Sequence, residues 1–301
     1  MSEVRAGSLQ AWVMAMRPQT LPVSIGPVFV GTAVAFIEGR FRFGPALAAG
    51  VGALLLQIGS NLANDVFDFE KGADTEHRIG PPRAAQLGLL SPGALKRGMF
   101  IVFALAMLVG VYLSVVAGPV VIAIGLVSIV AAIVYTGGPW PLGYHGLGDV
   151  AVFIFFGLAA VVGTTFVQVG AVPALAWIAA IPVGSLATAI LVVNNLRDIE
   201  TDRVAGKRTL AVRFGRSGAQ TEWALLVGGA YMMTFVPGFF FGAGPWMLLP
   251  WLSAPRAVSL WRVVRSSMSG PELNKALAGT AQLSALFSLL FAIGLSVSRW
   301  M

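Results

Sequence analysis

The apolar positions of this chain fall in long blocks separated by short polar segments. A helix needs about 20 mostly apolar residues to cross about 30 Å of hydrocarbon. Nine stretches approach that length: 20–37, 45–63, 98–117, 119–135, 150–169, 174–193, 223–242, 244–261 and 277–297. The third and fourth are split by a tight connection at Gly118–Pro119. Ahead of them, residues 1–19 carry Arg5 and Arg17 around a short amphipathic segment, 9–16. Its apolar run is too short for a cleaved signal peptide, and an interfacial helix is expected there. The pattern predicts an all-α, polytopic bundle of about nine spans around a central cavity, forming one integral membrane domain over 1–301.

Composition narrows the class further. The hydrophobic set makes up 57% of the 301 residues and charged residues only 11%, against roughly 25% in soluble domains. So few charges cannot coat a soluble globule of this size. There is no cysteine, which removes disulfide scaffolds and thiolate chemistry. The net charge of +7 would invite nucleic acid in a soluble chain. In a membrane chain, basic residues instead mark the cytoplasmic side and meet anionic lipid or substrate, so no nucleic-acid partner is expected. With the N-terminus inside, the inner segments hold Arg5, Arg17, Lys71, Arg78, Arg83, Lys96, Arg97, Arg197, Arg203, Lys207, Arg208, Arg213, Arg216, Arg256, Arg262, Arg265 and Lys275. Only Arg40, Arg42 and Arg299 fall outside. That asymmetry fixes a cytoplasmic N-terminus and favours an odd number of spans.

The acids cluster more tightly than orientation requires. Eight of the 13 lie in two short stretches, Asp65, Asp68, Glu70, Asp74 and Glu76, then Asp198, Glu200 and Asp202. Each stretch ends an even-numbered span and leads into a cytoplasmic loop, 64–97 or 194–222. Asn64 and Asp68 are four apart and share a helix face, as do Asp198 and Asp202. Asp65, three before Asp68, either joins that face or turns away. The clusters are about 134 residues apart, a weak sign of two similar halves.

Carboxylates gathered at close range repel one another unless a cation lies between them. An oxygen-only donor set without Cys or paired His favours Mg²⁺, which completes its shell with water and phosphate oxygens. Lys71, Arg78, Arg197 and Lys207 adjoin the acids and suit the remaining charge of a diphosphate. Two acidic ladders, Mg²⁺ and a basic fringe at a membrane surface describe a site for a lipid diphosphate. The alternative is a pair of solvated loops, acidic for solubility and basic for topology.

With these residues in view, the chain resembles the UbiA superfamily of intramembrane prenyltransferases. The matching motifs are Asn64-x₃-Asp68 with Asp74, and Asn195-x₂-Asp198-x₃-Asp202. It is most similar to the 1,4-dihydroxy-2-naphthoate prenyltransferase branch of menaquinone synthesis, through residues 17–22, 61–82, 135–149 and 194–210. The last two spans carry no matching motif. Some relatives have a lysine before the tyrosine matching Tyr144, where this chain has Gly143. The resemblance implies transfer of a polyprenyl group from its diphosphate to 1,4-dihydroxy-2-naphthoate, with loss of diphosphate and CO₂, giving demethylmenaquinone.

On that reading Asn64, Asp68, Asp198 and Asp202 hold Mg²⁺, and Asp65 and Asp74 are further or outer ligands. Arg17, Arg78 and Arg83 are the candidates for the acceptor carboxylate, and Phe67, Tyr135 and Phe156 for an aromatic wall. Tyr135 and Tyr144 flank a Gly/Pro-rich loop that lines the site or anchors at the interface. Asp149 is expected as a helix N-cap, or with Asp65 as a handler of a phenol proton. His77 and His145 are expected to be structural. Gly157, Gly163, Pro182 and Gly184 are expected in close helix packing or kinks. A secondary transporter is disfavoured because its site belongs near the bilayer midplane, whereas these spans are nearly bare of charge. Another aromatic acceptor would leave the metal site unchanged.

Overall fold

The structure, a computed structural model, describes residues 4–73, 79–242 and 244–298. Among them all regular structure is helical. The helices are α1 (Leu9–Met16), α2 (Leu21–Ile37), α3 (Phe43–Glu70), α4 (Pro92–Ala117) and α5 (Val120–Val134). Then α6 (Gly148–Val152) runs through a π-helical segment, Phe153–Ala159, into α7 (Ala160–Val169). The rest are α8 (Ala174–Arg197), α9 (Ile199–Val204), α10 (Leu210–Met233), α11 (Phe235–Phe241), α12 (Ala254–Ser266) and α13 (Gly270–Ser298).

Local chemistry sets the ends. The Ser8, Ser91 and Thr209 hydroxyls accept from the amides of Ala11, Ala94 and Val212, capping α1, α4 and α10. Arg17 breaks α1 from α2 at a left-handed φ of 52°, so the expected short helix 9–16 stands apart from the first span. Gly118, at φ 100°, ends α4 and lets α5 start at once in the opposite direction.

Seven helical segments among the described residues are long and apolar enough to cross a membrane, and α5 is a shorter eighth of 15 residues. The ninth expected stretch, 244–261, departs from a regular span. Residues Pro245–Ser253 form a 3₁₀ run before α12 begins, because Pro250 lacks the amide donor a continuous α-helix needs there. The segment still returns the chain. Arg216 and Gln220, early in α10, donate to the carbonyls of Ser267, Val264 and Arg265 at 2.9–3.1 Å, so α12 ends beside the start of α10.

The main core surrounds α8. Val183, Leu186 and Val193 pack with Trp223 of α10 and Phe287 and Phe291 of α13, all essentially inaccessible. At the crossing of the π-helical segment with α8 a Cβ on Gly157 would lie 2.7 Å from the Gly184 Cα, so the two backbones touch as expected of these glycines. A second cluster joins Ala11, Leu62, Val66, Leu95 and Phe103 of α1, α3 and α4. The opposite end is tied where the Gln168 amide accepts from the Arg42 N–H at 3.4 Å and donates to Thr32 at 3.1 Å.

Candidate active site

The last two turns of α3 carry the first ladder, and each polar side chain there has a different task. Asn61 donates to the Met16 carbonyl and the Thr20 hydroxyl, both at 2.9 Å. This holds the corner around Arg17 against α3. The Asn64 side-chain oxygen accepts from the Thr136 hydroxyl at 3.0 Å. Asp68 is 2% exposed; its Oδ2 accepts from Arg83 Nη1 at 2.7 Å and its Oδ1 from the Tyr144 hydroxyl at 2.8 Å. Arg83 comes from a loop that folds back over α3 and also reaches the Asn64 carbonyl. Asp65 is what folds that loop. Its two oxygens accept from the backbone N–H groups of Ala84 and Ala85 at 3.2 Å, which turns it away from the Asp68 face.

The second ladder spans the break between α8 and α9. Arg197, 5% exposed, grips Asp198 through both carboxylate oxygens, Nε to Oδ1 at 2.7 Å and Nη2 to Oδ2 at 2.5 Å. Its remaining donors go to the side-chain oxygens of Asn194 and Asn274 at 2.9 and 2.8 Å. Arg197 therefore fixes Asp198 instead of standing in the basic fringe. Asn195 is buried beside it. After α9, Gly206 turns at φ 75° and the Lys207 N–H bonds to the Asp202 carbonyl at 2.8 Å, aiming the lysine back.

Lys207 is where the ladders meet. Its ammonium lies 3.5 Å from Asp68 Oδ1 and 3.6 Å from Asp202 Oδ1. It also stands 4.9 Å from the centre of the Tyr144 ring, with Lys71 5.0 Å from the same centre. Lys71 also donates to the Gly138 carbonyl at 2.9 Å. Burial raises the Asp202 carboxyl to about 6; Lys207 opposes that rise, and the nearby Asp198 and Asp68 charges add to it. The Lys71 ammonium is pushed down, first by desolvation, against the pull of Asp68 and with the repulsion of Lys207.

Beside this polar cap a cavity of about 230 Å³ is walled mainly by α3, α4, α5, the π-helical segment and α7, with Ser24 and Val28 of α2. Tyr135, Phe155, Phe156, Phe166, Leu56 and Met107 are among its walls. Tyr135 and Phe156 are thus at the wall, as expected. Phe67 is not; it packs against Gly137 and lies under the Lys96 ammonium. Gly163 also departs from expectation. Nothing lies within 4 Å of a Cβ placed on it, and it opens into the cavity instead of packing a helix. Asp149 is not a cap: Leu147 holds that position, with no side-chain bond. His145 stacks on Trp140 at 4.2 Å, a structural role.

Asn64, Asp68, Asp202, Lys71, Lys207, Tyr144 and Arg83 are thus brought to one mouth, with Tyr135 just below. Asp65 and Arg197 serve as supports, and Arg17 stands at the α1–α2 corner. Asp74, His77 and Arg78 lie outside the described residues. Thr136, Asn274, Phe155 and Phe166 escaped the sequence reading, since only tertiary packing joins them to the motifs. No group of three or more His or acidic residues placed to hold a metal occurs among the described residues. The donor chemistry nevertheless fits a hard cation. The donors are oxygens, two of the carboxylates already share one positive centre, and each carboxylate retains lone pairs beyond its present bonds.

Residues 24–291 match the UbiA prenyltransferase family. A 1,4-dihydroxy-2-naphthoate octaprenyltransferase of Escherichia coli is 40% identical, covering 100% of this chain and 99% of its own. One of Mycobacterium tuberculosis is 38% identical over 97% and 99%. In fold, the chain is similar to an apo UbiA homologue from Aeropyrum pernix, with TM-score 0.71, 15% identity, and 93% and 98% of the two chains covered. It is also similar to a homologue from Archaeoglobus fulgidus bound to DMAPP and Mg²⁺, with TM-score 0.67, 16% identity, and 95% and 99% covered. From its motifs through its fold to nearly its whole length, the chain belongs to the UbiA prenyltransferase family.

Proposed function

We propose that this integral membrane protein transfers a polyprenyl group from its diphosphate to 1,4-dihydroxy-2-naphthoate, releasing diphosphate and CO₂ and giving demethylmenaquinone. The observation that carries the reading is the meeting of Asp68 and Asp202 on one ammonium at the head of an apolar cavity. The full-length similarity to enzymes of that name supports the acceptor. Asn64, Asp68, Asp198 and Asp202 would hold Mg²⁺, with Asp74 as a further ligand. Bound there, the ion supplies charge neutralisation for the leaving diphosphate.

The chain's own residues do the rest. Lys71 and Lys207 bind diphosphate oxygens and offset the charge that grows as the allylic C–O bond breaks. Arg197 holds Asp198 in register, and Arg83 and Tyr144 do so for Asp68. The prenyl tail lies in the cavity, where Tyr135, Phe155 and Phe156 shield the allylic cation from water and present ring faces to it. One of Arg17, Arg78 and Arg83 would supply the cation for the acceptor carboxylate. We place the mouth on the cytoplasmic side of a bacterial-type plasma membrane, because the basic residues gather at that end.

The test is purified protein in lipid with Mg²⁺, a long-chain polyprenyl diphosphate and carboxyl-labelled 1,4-dihydroxy-2-naphthoate. Prenylated product with one labelled CO₂ per turnover, abolished by EDTA, is the expected result. Turnover with 4-hydroxybenzoate alone would overturn the acceptor, and silence with every aromatic acceptor would overturn the reading.

A further inference from the structure

The α3 side of the cavity carries polar groups that a hydrocarbon tail cannot satisfy. The helix runs unbroken from Phe43 to Glu70. Along it Ala49, Ala53, Gln57, Ser60, Asn64 and Asp68 recur at steps of three and four, so they share one face. The first four line the cavity, and the last two belong to the mouth described above. Ser60 and Gln57 therefore stand about 6 and 10 Å from Asn64 along the helix axis, where the cavity meets the mouth. The Ser60 hydroxyl makes no hydrogen bond among the described residues. On the same wall the Ser24 and Ser128 hydroxyls are instead committed to the carbonyls of Leu21 and Ile124, both at 2.8 Å. Gln57 is held by its nitrogen. Asn61 Nδ2 donates to the Met16 carbonyl, which leaves Asn61 Oδ1 facing Gln57. The Thr20 hydroxyl donates to the Arg17 carbonyl. Both oxygens must then accept, and Gln57 Nε2 donates to each at 3.3 Å. This leaves Gln57 Oε1 buried with no partner among the described residues, which is costly in apolar surroundings.

A prenyl tail offers these two groups no hydrogen bond, and the diphosphate is held at the mouth. The remaining polar parts of the substrates are the carboxylate and the two hydroxyls of the acceptor. The carboxylate calls for a cation, and Arg17 and Arg83 stand at the mouth end. A serine hydroxyl and a neutral amide oxygen instead match a phenolic O–H, which donates to one and accepts from the other. With the carboxylate at the mouth end, the hydroxyl at position 4 lies on the far side of the ring, toward Ser60 and Gln57. We infer that Ser60 and Gln57 form the subsite for the 4-hydroxyl of the acceptor. Gln57 Oε1 accepts from that hydroxyl and Ser60 donates to its oxygen. The subsite selects a 1,4-dihydroxy ring over one with a single hydroxyl beside its carboxylate, because the lesser ring leaves both groups unpaired. No covalent bond changes here, so the two residues bind and orient the acceptor. The inference rests on the function proposed above.

The test measures equilibrium binding of two ligands, 1,4-dihydroxy-2-naphthoate and 1-hydroxy-2-naphthoate, which lacks only the 4-hydroxyl. The protein is in lipid, loaded with Mg²⁺ and a non-reactive prenyl thiolodiphosphate. Ser60→Ala is expected to weaken the dihydroxy ligand about fivefold and Gln57→Met about tenfold, each leaving the monohydroxy ligand within twofold. Ser60 has no partner to lose, so Ser60→Ala is expected to keep or raise the melting temperature, and Ser60→Thr to keep the preference for the dihydroxy ring. Equal weakening of both ligands, or a preference unchanged in both Ser60→Ala and Gln57→Met, would overturn the subsite. Loss of thiolodiphosphate binding in Ser60→Ala would also overturn it, in favour of a structural role at the mouth. A parent protein that binds the thiolodiphosphate but neither naphthoate would instead count against the proposed acceptor.

Discussion

Asp202 and Asp198 sit one helical turn apart, yet their surroundings make different demands on a substitution. Among the described residues the Asp202 carboxylate pairs with Lys207, at 3.6 Å, so Asp202→Asn should lower turnover about a hundredfold with little change in melting temperature. Asp198 neutralises the buried Arg197. Asp198→Asn should therefore lose turnover and also about 3 kcal/mol of stability, since it strands a buried guanidinium; thermal unfolding in lipid nanodiscs separates the two. Protons compete at Asp202 as well. With its carboxyl raised to about 6, Mg²⁺ affinity should fall about tenfold per pH unit below 6, as a metal titration followed calorimetrically would read. The sign for stability is opposite. In the metal-free protein the contribution of neutral Asp202 is full below about 4 and lost as pH rises through 6. The sequence exposed both ladders, because Asn-x₃-Asp and Asp-x₃-Asp spacings place side chains on one helix face. It could not show that Asp65 caps a returning loop or that Lys207 joins the halves. Both depend on where residues 79–91 and 205–209 fold, and no local periodicity specifies that.

At the scale of elements, glycines serve in two opposite ways. Between the π-helical segment and α8, Gly157 and Gly184 let backbones touch. Gly157→Leu should cost about 1–3 kcal/mol by overpacking, seen as a lower melting temperature. Gly110, Gly125 and Gly163 instead face open cavity space, with nothing within 4 Å of a built Cβ. Gly125→Phe and Gly163→Leu should leave stability nearly unchanged while shifting products toward shorter prenyl tails, as mass spectrometry of the lipid extract would show. Sequence alone treats all these glycines alike, since packing and lining differ only in what stands opposite. The prolines of 245–255 were legible as letters, but their effect on the ninth stretch emerged only once that stretch had to pack beside α10 and α13.

For the whole molecule, the absence of cysteine makes single-cysteine labelling clean. Cysteine placed at Arg203 should react with an impermeant maleimide only from the cytoplasmic face of vesicles, and at Arg40 only from the other. Equal labelling from both faces would refute the orientation. Hydropathy and charge placement sufficed to read this topology, because bilayer thickness and the positive-inside rule act on single segments. The sharing of work between regions was hidden from them. The cavity walls from α3, α4 and α5 lie outside the main core, which is built on α2, α7, α8, α10, α12 and α13. Substitutions at open positions of α4 and α5 such as Gly110 and Gly125, away from the second cluster around Leu95, Met99 and Phe103, thus change what the cavity admits without touching the main core. A lineage, or a directed-evolution library, can explore new tail lengths there with a small stability penalty. Mutational tolerance mapped along the chain should accordingly be high on the cavity faces of those two helices and low along α8.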